Sequence, residues 1–264
     1  MIEWLDRAAA PTRVGGKGAS LGRLVRAGLP VPPGFCVTVT AMQALDEPAA
    51  TAPIAEALAR LSPGPLAVRS SALGEDGATA SFAGIHLSLL NVARGAVSAA
   101  LARVRDSARS PAALAYRKRR NIAGEPRIAA VVQSMVAPEV SGVLFTRHPV
   151  TREPAIVVEA SWGLGEAIVS GSVTPDHFEL DVSGAVLRSV VADKDVACVP
   201  GDDGTVEVEV PAERRRVACV NESQLRTIAA VGRECERLFG APQDVEWALE
   251  GDRIWLLQSR PITT

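Results

Sequence analysis

Four polar residues near the C-terminus, Asp244, Glu246, Gln258 and Arg260, sit on two short apolar segments joined at Glu250-Gly-Asp252. Carboxylate and carboxamide oxygens are hard ligands, and Mg²⁺ typically takes one or two of them with phosphates and water. An adjacent arginine can neutralise charge on a transferring phosphoryl group. If Gly251 centres a three-residue turn, Asp244 faces Gln258 and Glu246 faces Leu256. Period-two alternation then gathers Asp244, Glu246, Gln258 and Arg260 on one face, with Val245, Trp247, Trp255 and Leu257 on the other. The competing reading is an amphipathic edge hairpin whose solvated face holds a salt bridge from Asp244 or Glu246 to Arg260.

A second set lies in the first half. Lys17 stands between glycines in Val14-Gly-Gly-Lys-Gly-Ala-Ser20, where the backbone can approach a ligand closely while an ammonium reaches out as a point charge. That suits a polyphosphate, although the spacing is not that of a Walker A loop; a solvated loop lysine is the alternative. Arg69 follows the apolar strand Leu66-Ala-Val68 and precedes two hydroxyls. There it could clamp phosphate oxygens bidentately or pair with Glu75 or Asp76. Ser81-Phe-Ala-Gly84 is a small-residue loop able to fold over phosphates, or a plain turn.

Certain elements must position these residues. The glycine loop runs into a short amphipathic helix over Leu21–Leu29, followed by a strand over Phe35–Val39 and a helix near Ile54–Leu61. Strands are expected at Leu66–Val68, Leu87–Leu90, Arg127–Val136, Val140–Thr146 and Ile156–Glu159, and helix over 93–124 with a break near Pro111. A short helix lies around Glu166–Val169, a surface hairpin within Val199–Arg216, and a helix over Glu222–Phe239 precedes the closing strands Val245–Leu249 and Ile254–Gln258. The fold class is mixed α+β in two lobes, 1–136 and 137–264, with a connector at Met135-Val136-Ala137-Pro138.

Composition narrows the function classes. With 28 Lys+Arg against 30 Asp+Glu, the net charge of −2 argues against a whole-chain grip on nucleic acid or anionic lipid. Aromatics are scarce, with Phe 5, Trp 4 and Tyr 1, so stacking platforms for single strands are not expected. No apolar run is long enough for a membrane span, and the acidic N-terminus is unlike a signal peptide. Cys36, Cys198, Cys219 and Cys235 are scattered without a CxxC pair, the pattern of reduced thiols in a cytoplasmic protein.

The motifs occur in a familiar order. Val-Gly-Gly-Lys17-Gly-Ala-Ser-Leu, Val-Arg69-Ser-Ser-Ala, Ala-Ser-Phe-Ala-Gly84, Val-Val-Gln133-Ser-Met-Val, Gly-Leu-Gly165-Glu-Ala, Pro175-Asp176-His-Phe, Asp244-Val-Glu246-Trp-Ala and Leu-Gln258-Ser-Arg260-Pro-Ile together resemble the N-terminal ATP-binding domain of phosphoenolpyruvate synthase, pyruvate phosphate dikinase and rifampin phosphotransferase. The resemblance spans about Val14 to Thr263. It implies an ATP-grasp fold with ATP and Mg²⁺ held between two lobes. By matching motif, Lys17 and Arg69 contact phosphates. Gly84 and Ser88 belong to the phosphate-covering loop. Gln133 and the Met135-Val136 backbone lie by the adenine. Glu246 and Gln258 hold Mg²⁺ with Asp244 nearby, and Arg260 stabilises the transferring phosphate.

There are departures from the family. Thr40–Pro65 is shorter than usual, so a peripheral helical piece is expected to be missing. The covering loop has Ile85 and Leu87 at positions that are usually polar, and Ser88 for the usual threonine. Full enzymes of the family append a swivelling domain with a phosphorylated histidine. None of His86, His148 and His177 sits in that context, and each is expected to be a loop or surface imidazole, with His86 over the phosphates. The resemblance thus implies an ATP-dependent phosphotransferase component. It would pass a phosphoryl group to a histidine on a separate polypeptide and thence to a small-molecule acceptor. A nucleotide-sensing module without turnover, motivated by Ile85 and Leu87, and an ATP-grasp ligase forming an acyl phosphate are the alternatives. Arg117–Arg120 is expected to be a solvated helix face.

Overall fold

A computed structural model describes residues 1–73, 87–119, 122 and 124–262. The chain divides into two compact units, Met1–Arg26 with Pro32–Met135, and Ala27–Val31 with Val136–Thr264.

The first unit contains β1 (Ile2–Trp4), α1 (Pro11–Arg26), β2 (Gly34–Val37), α2 (Val39–Gln43), α3 (Pro48–Arg60), β3 (Leu66–Ala72), β4 (Ser88–Val92), a 3₁₀ turn at Arg94–Ala96, α4 (Val97–Ser107), α5 (Pro111–Arg119) and β5 (Ile128–Ser134). Its antiparallel sheet runs β1-β2-β5-β3-β4. Alternation sends Leu66, Val68, Ile128, Ala130, Val132, Phe35 and Val37 into a core closed by Met42 of α2, Ile54 of α3 and Leu101 of α4. The opposite face, with Arg69, Ser71 and Gln133, carries α1.

The second unit contains β6 (Val140–Phe145), β7 (Ile156–Trp162), α6 (Glu166–Ser170), β8 (Asp176–Leu180), β9 (Val186–Val190), β10 (Val196–Pro200), β11 (Thr205–Glu209), α7 (Ala212–Arg215), α8 (Glu222–Phe239), β12 (Gln243–Glu250) and β13 (Arg253–Pro261). Six strands order as β13-β12-β6-β7-β8-β9, and β10 and β11 pair separately. The Ala27–Val31 segment joins this unit through Leu256 N–H, which donates to Pro30 O at 2.7 Å. Helix α8 spans the residues its periodicity predicts because both ends are signalled locally. Asn221 and Gln224 form a reciprocal capping box, and Gly240 closes the helix at φ 72°. Its Gly232 lies so close to Leu144 that a Cβ would meet Leu144 Cδ2 at 2.4 Å, which seats α8 on one face of β6.

Several expectations are corrected. The Val14–Ser20 segment is not a loop: α1 begins at Pro11 and contains it, with a break at Gly15 (φ 73°, ψ 173°). Arg69 is in the middle of β3, not at its end. Strand β2 stops at Val37 because the Thr38 hydroxyl accepts from Ala41 N–H and starts α2. The hydrophilic Val199–Arg216 stretch forms most of the β10–β11 hairpin and then α7. Strands β1, β8 and β9 were not legible in the sequence; β9 is exposed along its length and so shows no buried period-two stripe.

Candidate functional site

In the first unit, the α1-bearing face of the sheet gathers four of the expected residues. Lys17 is buried within α1, and Arg69 is buried in β3 opposite Val131. Ser88, exposed at the start of β4, stands opposite Arg69. Gln133 of β5 lies opposite Ala67 and Gly34, and its Nε2 donates to Pro32 O at 3.0 Å. Gly34 allows that packing, since a Cβ there would meet Gln133 Cγ at 2.6 Å. Met135 N–H donates to Pro65 O at 3.0 Å. Gly84, Ile85, His86 and the Ser81-Phe-Ala segment lie outside the described residues. Leu87 packs against the unit's apolar core, so the substitution there serves packing.

Gly18, next to Lys17, has a packing role. A Cβ on Gly18 would lie 2.8 Å from Cys36 Sγ, so this glycine lets α1 settle onto β2. Burial and the nearby Glu3 carboxylate push the Cys36 thiol up to about 12, which keeps it protonated and inert.

In the second unit, the closing hairpin brings the four polar residues onto one face, by a register different from the expected one. Glu250 pairs with Arg253, so the turn is the two residues Gly251-Asp252, with Gly251 at φ 58°. A bulge between Glu246 and Trp247 shifts the register again. Asp244 therefore faces Arg260, not Gln258, and Glu246 faces Gln258, not Leu256. The bulge also moves Trp255 to the polar face, opposite Ala248, where it packs with Val136 and Leu257. Val245 and Trp247 remain on the buried apolar face, and the bulge brings Leu256 there as well, opposite Trp247 and not opposite Glu246.

The hairpin is not an isolated edge, because β12 lies between β13 and β6. The salt bridge of the competing reading is nonetheless present: Arg260 Nε and Nη2 reach Asp244 Oδ2 at 2.8 and 2.7 Å. Burial pushes the Asp244 carboxyl up, Arg260 opposes that, and Glu246 and Glu159 add to it. Asp244 thus holds the guanidinium in place, while Glu246 and the buried Gln258 offer oxygen donors side by side.

Sequence reasoning missed the continuation of this face. Register partners run Gln258–Glu246–Val143–Glu159–His177 across five strands, so Glu159 and His177 share the face of the hairpin quartet. His177 is a strand residue, not a loop imidazole, with Nδ1 3.6 Å from Glu159 and Nε2 3.5 Å from Glu179. His148 is the expected loop imidazole: Nδ1 accepts from the N–H groups of Val150 and Thr151. Arg117 binds Gly124 O at 2.9 Å from the end of α5.

The other face is anchored by a fully buried ion pair that no spacing indicated. Lys194 Nζ donates to Asp176 Oδ1, and Asp176 also accepts from the backbone N–H groups of Ala192 and Cys219. The Pro175-Asp176-His-Phe motif was the available signal, but its partner comes from a segment 18 residues on.

Among the described residues no cluster of three or more His, Cys, Asp or Glu side chains could cage a metal. The Glu246–Gln258 pair fits instead a Mg²⁺ that arrives with phosphates and water as its other ligands. No described helix is long and apolar enough to cross a membrane.

The chain is 37% identical to a probable phosphoenolpyruvate synthase of Methanothermobacter thermautotrophicus, over 95% of this chain and 44% of that protein. It is 37% identical to the prodigiosin synthesizing transferase PigC of Serratia marcescens (98% of this chain, 32% of that one) and to a rifampicin phosphotransferase of Streptomyces sviceus (95% and 34%). The chain thus spans less than half the length of each of these relatives. The first alignment runs over 300 residues against a chain of 264, so that relative carries residues within the matched region that this chain lacks. Among solved structures, an ADP complex of N5-carboxyaminoimidazole ribonucleotide synthetase gives a TM-score of 0.45 at 14% identity, covering 95% of this chain and 45% of that one. The family profile described as pyruvate phosphate dikinase, AMP/ATP-binding domain, matches residues 11–64 and 48–264. By that match and these identities, the chain belongs to the pyruvate phosphate dikinase AMP/ATP-binding domain family.

Proposed function

We propose that this chain binds Mg²⁺·ATP and transfers a phosphoryl group to a histidine on a separate domain or partner, which passes it to a small-molecule acceptor. The observation that carries the reading is the hairpin face, where Glu246 and Gln258 stand opposite each other beside the Asp244-held Arg260. Phosphoryl transfer needs little covalent help from a protein. It needs positioning and charge neutralisation, and those residues supply both. In this reading Lys17 and Arg69 grip phosphate oxygens, Ser88 at the start of β4 stands beside Arg69, and Gln133 with the Met135-Val136 backbone borders the adenine.

When bound, Mg²⁺ would be held by Glu246 and Gln258 and would screen the phosphate charge. Asp244 aims the Arg260 guanidinium, so the cation is preorganised before substrate arrives. The relatives are two to three times longer than the matched region, which supports an acceptor histidine in a further domain or partner.

The test is to incubate the protein with ATP, Mg²⁺ and a histidine-bearing domain from one of the longer relatives, then separate nucleotides and proteins. AMP and inorganic phosphate together with an acid-labile phosphoprotein, the β-phosphate having gone to histidine and the γ-phosphate to water, are the expected result. ADP and no phosphoprotein would replace this reading with ligase-type chemistry. Bound but unchanged ATP, unaffected by Arg260→Ala, would replace it with a sensing module.

A further inference from the structure

We propose that Ser71 is a positioning residue that ties Lys17 and Arg69 into one phosphate-gripping unit. The inference rests on the reading of those two cations as phosphate ligands.

Helix α1 breaks at Gly15, where φ is 73° and ψ is 173°. In a continuous helix Gly18 N–H would bond to Val14 C=O, four residues back. Here the buried Ser71 hydroxyl stands at that junction. It donates to Val14 O at 2.7 Å and accepts from Gly18 N–H at 3.0 Å. One hydroxyl thus serves both backbone groups, the pattern expected where a side chain inserts into a helical ladder.

The break has to be at a glycine for two reasons. Positive φ disfavours other residues, and a Cβ on Gly15 would lie 2.2 Å from Ser71 O and 2.3 Å from Ser71 Oγ. Lys17 immediately precedes the bonded Gly18. Arg69 precedes Ser71 by two residues on β3 and therefore shares its face. Backbone on both sides of Lys17 is therefore pinned to the strand that carries Arg69. Ser70, next door on the core-facing side, has no hydrogen bond to its hydroxyl among the described residues, so it is the natural control.

Nucleotide affinity is measured by calorimetry for Lys17→Ala, Ser71→Ala, their double variant and Ser70→Ala. Amide exchange at Gly18 is followed in parallel, without nucleotide. Ser71→Ala is expected to weaken ATP binding about tenfold and to speed Gly18 exchange by a similar factor. In the Lys17→Ala background it should add less than about twofold, because it acts through the lysine. Ser70→Ala should change neither. A merely structural serine would lower Tm yet give additive effects on affinity, and that result, or unchanged Gly18 exchange, would overturn the proposal. If Lys17→Ala itself binds ATP normally, the phosphate reading fails first, and this inference with it. Should Ser71→Ala not fold, Ser71→Cys, which retains a weaker donor of similar size, is expected to give a smaller change of the same sign in both readouts.

Discussion

The two units hold their polar residues by different means. In the first, Lys17 and Arg69 are placed by a broken helix lying on a sheet, with glycines giving close approach and one neutral hydroxyl spanning the break. In the second, Asp244, Glu246, Gln258 and Arg260 are placed by strand alternation and one bulge, on a sheet whose other face is pinned by the buried Asp176–Lys194 pair. Cations in the first unit are thus positioned through backbone packing, and acids in the second through side-chain pairing. Volume changes should therefore disrupt the first unit, and charge changes the second.

Four experiments can break or sharpen that contrast. Lys194→Ala leaves the Asp176 carboxylate buried without its cation, and urea unfolding should show a loss of about 3–5 kcal/mol. A loss below about 1 kcal/mol would mean the second unit is not held by charge. Arg260→Ala should reduce phosphoryl transfer about 100- to 1000-fold, with a loss of stability of about 1–3 kcal/mol because the Asp244 carboxyl loses its partner. A matching collapse of stability would reduce the Asp244–Arg260 pair to a fastening. Gly15→Ala forces a Cβ against Ser71 O at a positive φ, and unfolding should show a loss of about 1–3 kcal/mol. An unchanged midpoint would count against packing as the organising force of the first unit.

The smallest effect is a pH dependence. Cys36, up at about 12 in the folded chain against 9.0 ordinarily, binds its proton more tightly when folded. Its contribution to stability is complete below about pH 9 and declines as pH rises toward 12. Cys36→Ala should flatten the alkaline slope of the unfolding free energy; an identical slope would show that the thiol under Gly18 is less enclosed than its packing implies.

Legibility followed how local the signal was. Helix α8 was readable end to end because its caps, Asn221, Gln224 and Gly240, are neighbours in sequence. The hairpin quartet was readable as a face, since alternation is a local property, yet its pairing was not. The turn is one residue shorter than expected, and the bulge at Glu246/Trp247 depends on how β13 meets β12. Glycines lower helix propensity, so the segment around Lys17 reads as a loop in sequence, and only the sheet beneath explains why a helix carries them. In sequence Ser71 is one of two hydroxyls after Arg69, with nothing local to reveal that its partner carbonyl and amide lie 57 and 53 residues away.

From the sequence alone follow the α+β class, the family motifs in their order, and the residue types that can meet a phosphate or a hard cation. Those depend on composition, periodicity and short spacing, which the chain carries within a few residues. Tertiary structure alone decided that Asp244 clasps Arg260, that Glu246 stands opposite Gln258, that Ser71 spans the break in α1, and that Lys194 neutralises Asp176. Each of these joins groups distant in sequence, where strand register, desolvation and hydrogen bonding are set only once the chain has closed on itself.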